Sequence, residues 1–142
     1  MISVLVVTYN GETYIREQID SILKNIGLGD ELVVSDDGSL DTTREILKSY
    51  QEQDARIRVM EGPGEGVIAN VEAGLRACRG DYIFLADQDD VWKPNKLIRC
   101  IEAMQEAEQV PQLAYCKMQR SDVQLNRLDE QVEVLKPEQL TK

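Results

Sequence analysis

The chain has 142 residues, with 16 Lys and Arg against 26 Asp and Glu and a formal charge of −10. That length holds one domain with a real core and leaves no room for a second full domain. The acidic balance, with no Lys/Arg stripe, excludes nucleic acid as a partner and argues against unaided docking on anionic lipid.

Ile2 to Val7 is an apolar run broken by one serine, the pattern of a strand buried on both faces. The next segment has helical spacing, with Ile15, Ile19, Ile22, Leu23 and Ile26 on one stripe and an end near Gly27 and Gly29. Glu31 to Ser35 reads as a second strand, and Asp41 to Gln53 as a helix with Ile46, Leu47 and Tyr50 inward and Asp41 or Ser39 as its N-cap. Ile57 to Met60 makes a short third strand. Gly62-Pro63-Gly64-Glu65-Gly66 lacks the Lys-Ser/Thr ending of a phosphate-binding P-loop and reads as a connection. Val67, Ile68, Val71, Leu75 and Cys78 sketch the following helix. Tyr82 to Ala86 is a fourth strand, and Pro94 opens a helix with Leu97, Ile98, Ile101 and Met104 on its stripe. Leu113 to Met118 reads as a fifth strand and Val123 to Leu128 as an antiparallel return. Residues 1–128 thus form the domain, and the polar residues 129–142 a short helix or tail.

Alternating strands and helices of this length imply an α/β fold, Rossmann-like, with a mainly parallel sheet and helices on both faces. Ligands of such sheets bind beyond the carboxyl ends of the strands, where the strand order reverses. Three polar clusters fall at those ends: Thr8-Tyr9-Asn10, Asp36-Asp37-Gly38-Ser39 and Asp87-Gln88-Asp89-Asp90. Each alone has an ordinary explanation, because Asp, Gly and Ser form turns and cap helices. Together they place five carboxylates and an aromatic ring on one edge. Clustered carboxylates resist desolvation unless water or a cation neutralises them, and oxygen ligands suit Mg²⁺ or Mn²⁺. A divalent cation would let a diphosphate approach this edge.

Histidine is absent, which removes Ser-His-Asp and Cys-His nucleophiles and leaves acid–base work to Asp or Glu. Cys78, Cys100 and Cys116 are odd in number and widely spaced, so they read as reduced, mostly buried thiols. No apolar run approaches the ~20 residues of a membrane span. Met1-Ile2-Ser3-Val4 lacks the basic start of a secretory signal, so a cytoplasmic protein is expected.

The segments Val-Val-Thr-Tyr-Asn (6–10), Val-Ser-Asp-Asp-Gly-Ser-Leu-Asp-Thr-Thr (34–43), Gly66 with Asn70, Gly80-Asp81-Tyr82-Ile83 and Ala86-Asp87-Gln88-Asp89-Asp90-Val91-Trp92 resemble the family 2 inverting glycosyltransferases of GT-A fold. The likeness covers about the first 100 residues, and the D-Q-D-D-x-W form looks most like bacterial rhamnosyltransferase-type members. It implies a nucleoside diphosphate sugar, carried on UDP or dTDP, as donor and a saccharide or lipid-linked acceptor in surface-polysaccharide synthesis. By resemblance, Tyr9 lies against the base and Asp37 hydrogen-bonds it, with Thr8, Asn10, Asp36 and Asn70 beside the donor. Asp87 contacts the ribose or the metal shell, Asp89 ligates Mg²⁺ or Mn²⁺, and Asp90 is a further candidate for the metal. Many members carry a basic residue before the matched asparagine, where this chain has Ala69.

The resemblance also implies an Asp or Glu base on an acceptor-binding half beyond Lys142. It leaves peripheral attachment at the inner face of the membrane and a homodimer open. A phosphate-accepting receiver domain would need its acidic pair after the first strand, and a dinucleotide oxidoreductase would need G-x-G-x-x-G after it; Thr8-Tyr9-Asn10-Gly11 supplies neither. The remaining alternative to a transferase is a non-catalytic donor-binding module or degenerate fragment.

Overall fold

A computed structural model describes residues 1–104, 114, 116, 118–122 and 124–127. Four strands alternate with four helices: β1 (Ile2–Thr8), α1 (Ile15–Leu23), β2 (Glu31–Asp36), α2 (Thr43–Gln53), β3 (Ile57–Glu61), α3 (Val67–Ala77), β4 (Tyr82–Asp87) and α4 (Lys96–Met104). The strands pair in parallel in the order β3-β2-β1-β4. The chain therefore steps outward from β1 to β3 and returns on the other side of β1 as β4, which puts the reversal of strand order between β1 and β4.

Pairing continues one residue further than the apolar runs do. Asp36 pairs with Thr8 and Asp87 with Val7, so each is the last residue of its strand. Backbone pairing is indifferent to a charge that can leave the sheet at its edge, which is why hydropathy marks these ends one residue early.

One face of the sheet presents Val4, Val6, Leu32 and Val34 to Ile15, Ile19 and Ile22 of α1 and to Ile46 and Leu47 of α2. Ile57, Ala86, Trp92 and Leu97 extend the same core. Each such aliphatic side chain contributes roughly 1.5–3 kcal/mol by leaving water. Trp92 is buried against Phe84 edge-to-face, ring centroids 6.3 Å apart, and the Lys96 ammonium lies 4.1 Å from the centre of its ring system.

The opposite face carries α3, which forms where its apolar residues sketched a helix but does not pack through the bulkiest of them. Val67 and Ile68 are exposed and Leu75 lies at the surface, whereas Asn70 and Gly74 are buried. A β-carbon on Gly74 would sit 2.5 Å from Leu5 Cδ1, so the helix packs on the sheet through its smallest residue. Close backbone approach replaces large apolar contacts, a pattern that a search for bulky residues overlooks.

Smaller corrections concern helix ends and thiols. α2 starts at Thr43, whose N–H donates to Asp41 Oδ1 at 3.0 Å, while Ser39 bonds elsewhere. α4 starts at Lys96, two residues after Pro94, because Asn95 has φ +66°; Ile98 of its expected stripe is exposed. α1 closes at Leu23, before the glycines. Cys100 is buried, but Cys78 is half-buried and Cys116 exposed, with no disulfide among them.

The chain divides into a unit over Met1–Glu102 and another over Ala103–Lys142. The strands expected over 113–118 and 123–128 fall partly outside the described residues, and the tail 129–142 wholly outside them. What is described there includes an antiparallel bridge between Ser121 and Arg127, within which Asp122 accepts the N–H groups of Gln124 and Asn126.

The amino end of the sheet is held by a buried carboxylate. Glu31 accepts Ser3 Oγ at 2.6 Å and the Arg79 N–H at 2.7 Å on one oxygen, and Arg58 Nη2 at 3.2 Å on the other. Burial pushes this carboxyl up, but those hydrogen bonds and the guanidinium outweigh it and hold the group below its ordinary 4.5. A depressed carboxyl contributes stability above its unfolded pKa and loses it as the pH falls through the folded value. Glu31→Gln should therefore lower stability at pH 7 by about 1–3 kcal/mol and flatten the loss below pH 4.5. Urea midpoints measured from pH 7 to pH 3 check both.

Candidate functional site

The loops after β1 and β2 are laced together before they meet the cleft. Asn10 donates its N–H to Ser39 Oγ (2.9 Å) and accepts the Leu40 N–H (2.8 Å); Gly11 donates to Thr43 Oγ1 (2.8 Å). Glu12 donates its N–H to Asp41 and accepts from the Thr42 N–H and hydroxyl. Asn10 holds φ +50°, a conformation asparagine tolerates better than most residues. Its side chain therefore braces the two loops. Asp36 is a brace as well: it is buried and accepts Ser39 N–H (3.0 Å), Ser39 Oγ and Arg44 Nε (3.0 Å).

Beyond this scaffold opens a cleft of about 540 Å³ at the strand ends, within the size range of small-ligand sites. Val7, Thr8 and Tyr9 line it at the exit of β1, with Tyr9 53% exposed. Asp37, Gly64, Gly66 and Asn70 form one wall, and Asp87, Gln88 and Asp89 the other. Of the residues singled out in the sequence, Thr8, Tyr9, Asp37, Asn70, Asp87 and Asp89 come together here, while Asn10, Asp36 and Asp90 do not line the cleft.

Asp37 accepts the Gly64 N–H on one oxygen and the Gly66 N–H on the other, both at 2.8 Å. Gly64 and Gly66 have φ of +71° and +94°, a backbone region costly for other residues, and this lets the loop fold over the carboxylate. The Gly62–Gly66 segment is thus a wall of the site rather than a plain connection. The pairing of its glycines with an acidic residue at a neighbouring strand end was the signal available in the sequence. Asn70 is buried, and its amide is engaged with Ser35, accepting the hydroxyl (2.6 Å) and donating to the carbonyl (3.0 Å).

On the other wall the Asp87 and Asp89 carboxylates are exposed. Burial raises the pKa of half-buried Asp90; the carboxylates of Asp87 and Asp89 add to this, and the Lys96 ammonium offsets part of it. The cleft wall is thus strongly negative. Among the described residues no set of three or more His, Cys, Asp or Glu side chains converges as a metal site. Mg²⁺ and Mn²⁺ take one or two carboxylates and complete their shell with waters and phosphate oxygens, and the exposed Asp87/Asp89 pair meets that requirement.

The sequence model of Glycosyl transferase family 2 matches residues 3–138. The chain belongs to glycosyl transferase family 2. This family 2 chain is 36% identical over 109 residues to the putative teichuronic acid biosynthesis glycosyltransferase TuaG of Bacillus subtilis, covering 75% of the chain and 42% of TuaG. It is 34% identical over 109 residues to glycosyltransferase GlyG of Streptococcus pneumoniae, covering 76% of the chain and 36% of GlyG. It therefore spans less than half the length of these curated relatives.

Among solved structures, S. aureus TarS 1-349 in complex with UDP superposes with a TM-score of 0.62 at 29% identity over 74% of the chain and 32% of TarS 1-349. The mannosyltransferase PcManGT of Pyrobaculum calidifontis, in complex with GDP-Man and Mn²⁺, gives a TM-score of 0.66 at 25% identity over 71% of the chain and 31% of PcManGT. The fold of the family 2 chain is accordingly of the GT-A type.

Removing the Asp37 carboxylate leaves two loop N–H groups without their acceptor. Asp37→Ala should raise amide exchange at Gly64 and Gly66 about tenfold or more, and Asp37→Asn, with one acceptor oxygen, should release one of the two. Hydrogen-exchange NMR on the ligand-free chain reads this directly.

Proposed function

We propose that this chain forms the donor-binding half of a metal-dependent, inverting glycosyltransferase. Its donor is a uridine or thymidine diphosphate sugar, and its acceptor a saccharide or lipid-linked glycan in bacterial surface-polysaccharide synthesis, of the rhamnosyltransferase type. The whole protein works in the cytoplasm, at the inner face of the membrane, and no described helix is long and apolar enough to cross it. The observation that carries this reading is the cleft at the β1/β4 reversal, with an aromatic ring and Asp37 at one side and two exposed carboxylates at the other. The UDP in TarS, the GDP-Man and Mn²⁺ in PcManGT and the pathway in the name of TuaG support it.

In this reading the base lies against Tyr9, and Asp37 accepts one of its N–H groups or a ribose hydroxyl. A carboxylate has about four lone-pair sites, so the two loop bonds leave room for a ligand donor. Asp89, with Asp87, would hold Mg²⁺ or Mn²⁺, which when bound supplies positive charge for the diphosphate and for the charge growing on the departing nucleoside diphosphate. Thr8 and Asn70 fix the backbone on either side of the donor, and Asn10 and Asp36 fix the loops behind it. An Asp or Glu of the acceptor-binding half removes the acceptor hydroxyl proton as the oxygen attacks the anomeric carbon, and a single displacement inverts its configuration.

Thermal unfolding with UDP, dTDP or GDP, each with and without Mn²⁺, tests the reading. A ligand at ~100 times its Kd stabilises by roughly 2.7 kcal/mol. Stabilisation should need nucleotide and be larger with metal. Asp89→Ala should keep the metal-free increment and lose the metal-dependent one. No shift with any of the three nucleotides would sink the proposal, and sugar transfer by the full-length protein would remove the alternative of a non-catalytic donor-binding module.

A further inference from the structure

The reading above gives no role to Gln88, the residue between the two cleft-facing aspartates. Its carboxamide reaches from the end of β4 to the end of β1. Oε1 accepts Thr8 Oγ1 at 2.6 Å and the Tyr9 N–H at 3.0 Å, and Nε2 donates to the Tyr9 carbonyl at 3.3 Å. Thr8 is buried, and a β-carbon on Gly11 would come within 2.5 Å of Gln88 Oε1 and 2.7 Å of Thr8 Oγ1. The carboxamide therefore occupies a fitted seat between the ends of β1 and β4.

The same acidic turn is fastened from beneath. Gln18, fully buried on α1, donates Nε2 to the Asp87 carbonyl at 2.8 Å, and Ser21 Oγ accepts the Trp92 N–H at 2.9 Å. Ser21 Oγ and Gln18 Oε1 lie 3.1 Å apart, joining the two anchors. The backbone is thus held at 87 and 92 by α1 and through the 88 side chain by β1, while the two carboxylates project free into the cleft.

We infer that Gln88 is a positioning residue that couples the two halves of the cleft, holding Asp87 and Asp89 in register with Tyr9. The inference rests on the nucleotide reading above. Residue chemistry restricts what can do this. Asparagine is one methylene short, glutamate loses the donor to the Tyr9 carbonyl and adds a charge beside three carboxylates, and methionine fills the space without either bond. A base held at Tyr9 then sets where its diphosphate meets Asp87 and Asp89, and a loose turn separates the two events. Residues that orient ligating carboxylates change metal affinity by about 10–100-fold when replaced.

The test measures affinity for whichever of UDP, dTDP and GDP binds the wild type most tightly, with and without Mn²⁺, in wild type, Gln88→Met, Gly11→Ala, Thr8→Val and Thr8→Ser. The readout is the factor by which Mn²⁺ tightens binding. It should fall about 10–100-fold in Gln88→Met, beyond any loss of metal-free affinity, in a variant that stays folded. Gly11→Ala, which displaces the carboxamide without altering it, should fall likewise, and Thr8→Val should fall where Thr8→Ser does not.

An unchanged Mn²⁺ factor in folded Gln88→Met overturns the inference, as does a lower midpoint with the factor intact, which marks a merely structural role. Should Gln88→Met fail to fold, equal factors in Thr8→Val and Thr8→Ser overturn it. Wild-type nucleotide binding with no Mn²⁺ effect defeats this inference while leaving nucleotide binding standing, and wild-type failure to bind any of the three defeats both.

Discussion

Everything at the site depends on the parallel pairing of β1 with a neighbour on each side. Parallel strands share a direction, so β2, β1, β3 and β4 all deliver their carboxyl ends to one edge. Because β4 lies beyond β1 rather than beyond β3, α3 crosses back over the face opposite α1 and α2, and the strand order reverses between β1 and β4, where a crevice opens at the strand ends. Acidic residues far apart in sequence, Asp36, Asp37, Asp87, Asp89 and Asp90, become neighbours by this topology alone. The same pairing explains the buried Glu31 network at the amino end, where Ser3, Arg58 and Arg79 converge as Tyr9 and Asp87 do at the other.

The carboxylates at this edge divide into two kinds. Asp36 and Asp37 are saturated or partly saturated with hydrogen bonds from their own loops, which offsets the cost of holding charge near the sheet. Asp87 and Asp89 are exposed, and Asp90 behind them has its acidity weakened by burial and by their charge. A protein that needed only turns there has cheaper residues than a run of like charges. The asymmetry separates a braced, hydrogen-bonded wall from one that remains open to a counter-charge.

Much of this was legible in the sequence, and the failures share a cause. Apolar runs located the four strands of the described sheet, and 3.6-residue spacing located α1 and α2, because bulky side chains dominate those contacts. The packing face of α3 could not be read from apolar spacing because it runs through Asn70 and Gly74, which carry no hydrophobic signal. Asn10 and Asp36 look like ligands in a motif, yet their polar atoms are turned to Ser39, Leu40 and Arg44, and hydrogen bonds between loops distant in sequence leave no periodic trace. Gln88 and the Gly64/Gly66 wall were missed for the same reason: their partners stand 79 residues and 27 residues away.

The packing of α3 has a mechanical consequence. Gly74 lets the helix settle onto Leu5, and the first turn of the same helix carries a wall of the cleft, about 10 Å along the axis at 1.5 Å per residue. A rigid rod resting on a pivot transmits height from one end to the other. The smallest side chain on α3 thereby acts as a spacer: a bulkier residue there would have to lift the helix off Leu5, and would carry with it Val67 and Asn70 at an opening that Gly74 never touches.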